Sequence, residues 1–356
     1  MESAHAHRKD EHLAVAEAQY RKHPPVSSLN DIRLIHRSLP ETNVNNVSLA
    51  VEDSRLPFDF PFYIEAMTGG SQKTGEINEQ LAHVAKTTGL AMAVGSQSIA
   101  LKEFEAIKTF ENARKINPDG FLIANIGAGH TAYEAQRVVD MIGANAVEVH
   151  INVPQEVVMA EGDRNYRWIE SLGEIITTSP VPVIIKEVGF GMDASTIAQL
   201  EKIGAQYINV GGRSGTNFAQ IEDQRNRDKE HPNSHAYLYD WGQTTAESLL
   251  EARIPRGNAT ILATGGIQTP LDVVKAQVLG AKAVGVAGHF LHILLNDGVD
   301  ALIQEVTLWQ EHLPKLYAMV GAQKQSDLVH VPYILSSELE SYARQRGLQS
   351  DYTNLN

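Results

Sequence analysis

Eight short apolar segments recur between residues 61 and 287, and an amphipathic segment follows most of them. The segments are nearly continuous runs of Val, Ile and Ala, as is typical of parallel strands covered on both faces. The predicted strands are residues 61–66, 91–95, 121–126, 146–151, 182–187, 206–211, 260–264 and 283–287. This alternation predicts an α/β fold in which helices connect consecutive parallel strands.

Start and stop signals support the helices between these strands. Residues 74–89 place apolar side chains on one face and end at Gly89, the residue type favoured just beyond a helix. Residues 269–281 begin with Thr269, a good N-cap, and Pro270 at the first helical position. Both segments are therefore predicted to be helices that cover the sheet.

The number of units favours a closed barrel over an open sheet. An open, doubly wound sheet uses the same alternation and is the alternative. Eight strand–helix units fit a (β/α)₈ TIM barrel, which usually needs about 250 residues. Polar motifs follow almost every predicted strand, and in a barrel these strand ends meet on one face.

The barrel is predicted to occupy residues 57–321, after an extension at 1–56 and before a C-terminal helical tail at 322–356. The extension is expected to contain a helix near residues 10–23. The highly charged residues 222–240 form a long insertion, which in compact domains is usually a lid or disordered. Further helices, serving barrel packing or subunit contact, are predicted at residues 297–321 and 334–346.

The composition excludes several kinds of catalytic site and disfavours several kinds of partner. The formal net charge is −13, which disfavours nucleic acid and anionic membranes as general partners. The chain has no cysteine, which excludes disulfides, zinc–thiolate sites and cysteine nucleophiles. No apolar run is long enough to cross a bilayer, and the charged N-terminus is unlike a secretion signal. A cytoplasmic protein without a membrane partner is expected.

Lys186 lies within the apolar fifth strand, PVIIKE. A lysine in such a strand is seldom buried without an anionic partner. It could form a salt bridge with Glu187 or Glu148. We favour a fixed cation beside a ligand that carries or develops negative charge.

The fourth strand ends in HINVPQE, which gathers an imidazole, two amides and a carboxylate within seven residues. A capped, solvated strand end is the alternative. Four polar groups so close to a buried strand instead indicate a binding site, formed by His150, Asn152, Gln155 and Glu156.

Glycine-rich loops follow the last three strands, at residues 211–218, 264–268 and 287–291. Such loops present backbone N–H groups that bind phosphate without basic side chains. In this fold, the loops after strands seven and eight frequently hold a phosphate. The three loops together predict a phosphate site.

The motifs AMTGG, GSQS, HINVPQE, IKEVGFG, GRSGTNF, ATGGIQTPLDVVKA and AVGVAGHFL, preceded by RKDEH, closely resemble those of the type 2 isopentenyl-diphosphate delta-isomerases. The match runs in order from residue 8 to about residue 291. It implies an FMN-binding barrel that interconverts isopentenyl and dimethylallyl diphosphate. It also implies reduced FMN, Mg²⁺, NADPH as the reductant, and a homo-oligomer, either a tetramer or an octamer.

The resemblance assigns roles to particular residues. FMN would contact Ala66, Met67, Thr68, Ser96, Asn125, Lys186, Gly211, Thr216, Gly266, Ile267, Gln268, Ala287 and Gly288. The substrate diphosphate would meet Arg8, Lys9, Ser96, Gln97, Ser98, His150 and Gln155. Glu156 would bind the metal, while Lys186, Gln155, His150 and Asn152 would form the catalytic group. The N-terminal segment would close over the substrate.

Three residues depart from the pattern of this family. Ser214 stands where a glycine is expected, and Ser98 where a larger basic residue is common. Gln268 occupies a position that is often arginine, so a cation is lost near the flavin phosphate and flavin affinity could be weak. None of these departures affects His150, Gln155, Glu156 or Lys186, so the assignment of the reaction stands.

Two classes of function compete: another flavin barrel, either an α-hydroxy-acid oxidase or an IMP dehydrogenase-like enzyme, and a sensor that does no chemistry. IMP dehydrogenase-like enzymes need a catalytic cysteine, which is absent. An FMN-dependent α-hydroxy-acid oxidase needs a histidine next to an arginine after the sixth strand, where this chain reads GGRSGT. A flavin or phosphate sensor without catalysis has no use for a metal-binding carboxylate beside the pocket.

Overall fold

The chain folds into a closed eight-stranded parallel barrel surrounded by helices. The computed structural model describes residues 4–226, 234–254 and 257–348. The barrel strands are β2 (Phe62–Ile64), β3 (Met92–Ala93), β4 (Leu122–Gly127), β5 (Ala146–Ile151), β6 (Val183–Glu187), β7 (Tyr207–Asn209), β8 (Thr260–Thr264) and β9 (Ala283–Val286). Each pairs with the next in parallel, and β2 closes the barrel by pairing with β9. The predicted TIM barrel is confirmed.

Helices cover the outside of the barrel and its mouth. They are α1 (Ala4–Lys22), α2 (Gln72–Thr88), α3 (Lys108–Ile116), α4 (Ala132–Ile142), α5 (Val153–Val158), α6 (Ile169–Thr178), α7 (Ala194–Lys202), α8 (Phe218–Arg225), α9 (Thr245–Ala252), α10 (Pro270–Val278), α11 (Gly288–Asp297), α12 (Val299–Met319), α13 (Gln325–Leu328) and α14 (Ser337–Gln345). No helix among the described residues is long and apolar enough to cross a membrane.

The helix starts and ends predicted from capping residues are present in the structure. Ser71 and Thr74 form a capping box at the start of α2, and Gly89 ends this helix with φ 74°. Thr269 caps α10, whose first residue is Pro270. These contacts satisfy backbone groups that a helix end leaves unpaired, so the helix limits follow from the sequence.

The ends of the chain differ from expectation in two respects. Helix α1 begins at Ala4, well before the predicted start near residue 10. The following chain also forms a short strand, β1 (Ile32–Leu34), which pairs antiparallel with β10 (Tyr333–Leu335) and joins the N-terminal extension to the C-terminal tail. Three-residue strands are too short to show a periodic pattern.

The expected loop at residues 222–240 is partly helical. Helix α8 extends to Arg225, and the side chains of Glu222 and Asp223 within it are buried. Residues 236–238 form a 3₁₀ turn, while residues 227–233 lie outside the described part of the chain. The start of this segment therefore belongs to the barrel mouth.

The barrel interior is built in layers. Alternate residues of a strand face the same side, so positions two apart along each strand point inward. The lower layer is apolar and includes Tyr63, Ile123, Ile184 and Leu262, below which Leu56, Phe58 and Val51 fill the end of the barrel. The inward positions two residues further on are polar, namely Glu65, Asn125, Glu148, Lys186, Asn209 and Thr264. This polar layer forms the floor of the mouth.

Candidate active site

A cavity of about 660 Å³ opens at the carboxyl ends of the barrel strands. This volume lies within the range usual for small-molecule and cofactor sites. Every residue assigned to the flavin, the substrate, the metal or catalysis lines the cavity, with the exception of Gln97. The structure therefore brings together groups that are spread along the chain from Arg8 to Gly288.

Gln97 is the assigned residue that the structure places elsewhere. Its side chain is fully buried, and its Nε2 donates to the carbonyl oxygen of Val138 at 3.0 Å. Its Oε1 accepts the backbone N–H of Asn125 at 3.0 Å. Ser96 and Ser98, on either side of it, face the cavity with their hydroxyl oxygens 3.1 Å apart. The Gln97 side chain thus ties the turn after β3 to β4 and α4 and does not face a ligand.

Lys186 is buried at the floor of the cavity and already has an anionic partner. Its Nζ lies 3.5 Å from Oε2 of Glu65 and donates to the carbonyl oxygen of Glu187 at 3.3 Å. Lys186 thus forms an ion pair with Glu65, and not with the Glu187 carboxylate or Glu148, the two partners that the sequence suggested. A charge placed above Lys186 would meet this pair rather than a lone cation.

The glycine-rich loops form a concave surface beside β7, β8 and β9. A Cβ atom on Gly266 would lie 2.6 Å from the carbonyl oxygen of Ser214, and the φ of Gly266 is 70°. Only glycine therefore fits between these loops. Ser214, which stands where a glycine is expected, has a positive φ of 159°, at the border of the extended region.

The start of α11 adds backbone donors to this surface. Its N-cap residue is Ala287, which has no side chain to bind the first N–H groups of the helix. An uncapped N-terminus is a favourable place for a phosphate. Gln268 also borders the cavity, but its Nε2 donates to the carbonyl oxygen of Pro25. The Gln268 side chain is thus held by the N-terminal segment.

His150 is neutral in the absence of a ligand. Burial, together with the charges of Lys9 and Lys186, lowers its pKa to about 3. Its Nδ1 lies 2.9 Å from Oδ1 of Asn125, whose Nδ2 donates to Glu148 at 3.1 Å. Since Oδ1 of Asn125 can only accept, Nδ1 of His150 carries the proton and Nε2 is a free lone pair.

The rest of HINVPQE forms a short hydrogen-bonded chain at the start of α5. Asn152 donates to Oε1 of Gln155 at 2.9 Å, and Nε2 of Gln155 donates to Oε1 of Glu222 at 2.9 Å. Glu156 lies beside them and accepts the backbone N–H of Asp163 at 2.6 Å. Pro154 is within the first turn of α5 and helps to set its direction.

Glu156 lacks companions that would complete a metal site. Among the residues that the structure describes, no three His, Asp or Glu side chains cluster as metal ligands. Mg²⁺ commonly binds one or two carboxylates and takes its other ligands from phosphate oxygens and water. The donor set therefore fits Mg²⁺ that arrives with a phosphorylated substrate.

Helix α1 lies across the mouth and contributes Arg8, Lys9 and His12 to the cavity wall. Arg8 donates to Glu161 at 3.0 Å. Burial and the neighbouring Arg8 lower the pKa of Lys9 to about 8, so most of it is charged at neutral pH. Two cations thus face the cavity from above, at the residues to which the family resemblance assigns the substrate diphosphate.

Several contacts dock α1 on the barrel. Oγ of Ser71 donates to Asp10 at 2.5 Å, and the Tyr20 hydroxyl lies 3.3 Å from Nδ1 of His289. Oε1 of Glu222 lies 2.8 Å from Nε2 of His12, and Glu222 also pairs with Arg225. Burial alone would raise the pKa of Glu222, but the nearby His12, the bond from Gln155 and the charge of Arg225 lower it to about 2.

Sequence reasoning missed four residues that the site uses: Glu65, Glu148, His12 and Glu222. Glu65 and Glu148 could have been found by the same signal as Lys186, because each is a charged residue within a buried apolar strand. His12 lies within the quoted RKDEH motif. Glu222 begins the charged run 222–240, which resembles a solvated loop. Nothing in the sequence of this run distinguishes Glu222 from its charged neighbours.

Comparisons with known proteins agree with this geometry. The model of the FMN-dependent dehydrogenase family matches residues 128–332. Two solved structures of mandelate oxidase, with (S)-2-phenylpropionate and with benzoyl-formic acid, superpose with TM-scores of 0.62 and 0.61 at 16% identity. They cover 93% and 92% of this chain, and 98% and 94% of their own chains. At this identity the likeness shows the fold alone.

Curated relatives are much more similar. Isopentenyl-diphosphate delta-isomerase from Latilactobacillus sakei subsp. sakei is 46% identical over 347 residues, which cover 98% of each chain. The enzyme of that name from Limosilactobacillus reuteri subsp. reuteri is 48% identical over 98% of this chain and 100% of its own length. That of Listeria monocytogenes serotype 4a is 42% identical over 95% and 94%. The chain therefore belongs to the FMN-dependent, type 2 isopentenyl-diphosphate delta-isomerases.

Proposed function

We propose that this enzyme interconverts isopentenyl and dimethylallyl diphosphate with FMN in its reduced form and with Mg²⁺. The observation that carries the proposal is the convergence of three features on one cavity. These are a glycine-lined phosphate surface, a HINVPQE segment with a single carboxylate, Glu156, facing the cavity, and two cations on the covering helix. An α-hydroxy-acid oxidase has no need for the last two.

FMN fits along the glycine-rich side of the mouth. Its phosphate would lie against Gly266 and the N-terminus of α11, where Thr216 also faces the cavity. Its ring would lie over residues 66–68, with the pyrimidine end near Lys186. When bound in the reduced state, the flavin supplies the exchangeable proton and an electron-rich face for the reaction.

The remaining volume suits a diphosphate beneath α1. Arg8 and Lys9 approach it from above, and Ser96 and Ser98 from β3. His150 presents a lone pair here, so an anion at this place raises the pKa of His150 and draws a proton onto Nε2. Protonated His150 can then donate to the diphosphate while Nδ1 keeps its bond to Asn125.

Glu156 would hold Mg²⁺ on the diphosphate, which fixes the hydrocarbon tail toward the floor of the mouth. Isomerisation adds a proton to the terminal alkene carbon and removes one from the neighbouring methylene. Gln155 and Asn152 line the cavity near that tail, and their mutual bond keeps both amides oriented. Helix α1 excludes water, which protects a carbocation-like reacting carbon from addition.

We further propose NADPH as the source of reducing equivalents, a tetrameric or octameric homo-oligomer, and a cytoplasmic location. The reductant must reach a flavin that α1 covers, so α1 has to move aside in each reduction. The substrates carry negative charge that Arg8 and Lys9 in the cavity wall would neutralise locally, against the net charge of −13 of the whole chain.

The test is an anaerobic incubation with isopentenyl diphosphate, FMN, Mg²⁺ and NADPH, followed by NMR of the allylic product. We expect product only when all four are present. Glu156→Gln should increase the Mg²⁺ concentration needed for half-maximal rate at least tenfold, while the exposed Glu170→Gln serves as a matched control and should leave it unchanged. Turnover that persists without flavin or metal contradicts the proposal.

A further inference from the structure

Two carboxylic acids lie side by side in the polar layer beneath the mouth. Glu65 follows β2 and is 1% exposed, while Glu148 points inward from β5 and is 0% exposed. Lys186 is the cation next to them. Gly285 makes room for this group, because a Cβ atom there would collide with Oε2 of Glu65. The interior of the barrel is thus shaped around a carboxylate.

The bonds to Glu65 show that it is ionised. Its Oε2 accepts from Tyr63 at 3.0 Å, Asn209 at 2.9 Å and Thr264 at 2.6 Å. Its Oε1 accepts the backbone N–H of Ala66 at 2.8 Å. Burial alone would raise the pKa of Glu65, but Lys186 and these donors lower it.

Glu148 has the opposite environment. Its Oε2 accepts one bond from Asn125 at 3.1 Å, and its buried Oε1 has no donor. Burial and the adjacent Glu65 carboxylate raise its pKa well above the usual range. Protonation of Glu148 gives its buried Oε1 a hydrogen-bond partner, because the O–H of the acid can donate to the Glu65 carboxylate.

We propose that Glu65 and Glu148 share one proton and one negative charge, and that with Lys186 they form a charge-setting site under the flavin ring. The proposal rests on the proposed flavin position. The two carboxyls are positioning residues, since they act on the flavin through Lys186 and the local charge. Either carboxyl can hold the charge, so the loss of one transfers it to the other.

The other titratable groups facing this site do not alter its charge. Tyr63 is a neutral donor from β2. His150 on β5 is neutral, as its bond to Asn125 shows. On β6, burial raises the pKa of Glu187 to about 8, so this carboxyl is mostly protonated at neutral pH, and its Oε2 turns away to accept the backbone N–H groups of Phe190 and Gly191. The strands β4, β7 and β8 contribute the uncharged Asn125, Asn209 and Thr264. The net charge of the site is therefore zero.

The test compares Glu65→Gln, Glu148→Gln and the double variant, which keep the side-chain shape and remove acidic groups. The readout is the midpoint potential of bound FMN, since an uncompensated cation favours the anionic reduced form. Each single variant leaves one carboxylate beside Lys186. Its affinity for reduced FMN relative to oxidised FMN should stay within about threefold of the wild-type ratio. The double variant leaves no carboxylate beside Lys186, and this ratio should rise at least tenfold, which raises the midpoint potential by about 30 mV for two electrons.

A second readout does not need flavin. Infrared difference spectra of the apoprotein at neutral pH should contain the carbonyl band of a protonated carboxylic acid that both single variants lose. The control Glu170→Gln should retain it. The proposal is wrong if either single variant matches the double variant in potential, if the double variant does not shift it, or if the band persists in Glu148→Gln. Failure of the wild-type protein to bind FMN would instead count against the proposed function.

Discussion

Glu222 connects the covering helix to the catalytic segment, and its replacement tests whether α1 is held by a charge. Its Oε1 lies 2.8 Å from Nε2 of His12 on α1 and accepts from Gln155 of α5 at 2.9 Å, and Glu222 pairs with Arg225 within α8. Burial lowers the pKa of His12, so at neutral pH this residue packs against Glu222 without a charge of its own. Glu222→Gln keeps the shape and removes the negative charge.

The magnitude follows from the pKa of Glu222, which falls from 4.5 to about 2 on folding. A shift of this size corresponds to about 3 kcal/mol, since one unit is worth about 1.4 kcal/mol. The pKa is depressed, so this stabilisation is fully present above pH 4.5 and is lost as the pH falls toward 2. Because glutamine retains part of the bonding, we expect a loss of about 2–3 kcal/mol at pH 7.

Urea unfolding and hydrogen exchange of the α1 amides, each between pH 7 and pH 3, measure this effect. The difference between wild type and Glu222→Gln should be constant above pH 5 and shrink steadily below it. Glu161→Gln is the matched control, because it removes a half-exposed partner of Arg8 and should cost less than about 1 kcal/mol. Equal stability of wild type and Glu222→Gln across this range would refute the reasoning.

Three further predictions concern the mouth. The kcat/KM for isopentenyl diphosphate should fall as the pH rises through about 8, where free Lys9 loses its proton, and Lys9→Arg should move this fall to higher pH in rate profiles. Gly266→Ala should weaken FMN binding at least tenfold in fluorescence titrations, because the new Cβ would lie 2.6 Å from Ser214 and φ is 70°; unchanged affinity would contradict the phosphate position. Lys186→Ala should lower the free energy of unfolding in urea by about 3 kcal/mol, because Glu65 loses its buried cation. The same variant should have a lower affinity for reduced FMN, and normal turnover would exclude a role for this cation.

The architecture could be read from the sequence because the strands are buried on both faces. Their apolar runs locate β5 and β8 to the residue. The sheet of β1 and β10 could not be found in this way, since its register depends on how the two ends of the chain meet.

The site was partly readable for a similar reason. Lys186 and HINVPQE are unusual within their own segments, whereas the pairing of Lys186 with Glu65 arises only when β2 and β6 enter one barrel. Gln97 was misassigned because adjacent residues of a turn point to different sides. Attention to that alternation would have separated it from Ser96 and Ser98.

The central claim is that flavin and metal-bound diphosphate face each other within one mouth. A crystal structure of the reduced protein with FMN, Mg²⁺ and isopentenyl diphosphate tests it most directly. We expect the ring over residues 66–68, the flavin phosphate at Gly266 and α11, and the diphosphate between Lys9, His150 and a metal on Glu156. A flavin or diphosphate bound outside this cavity would contradict the account.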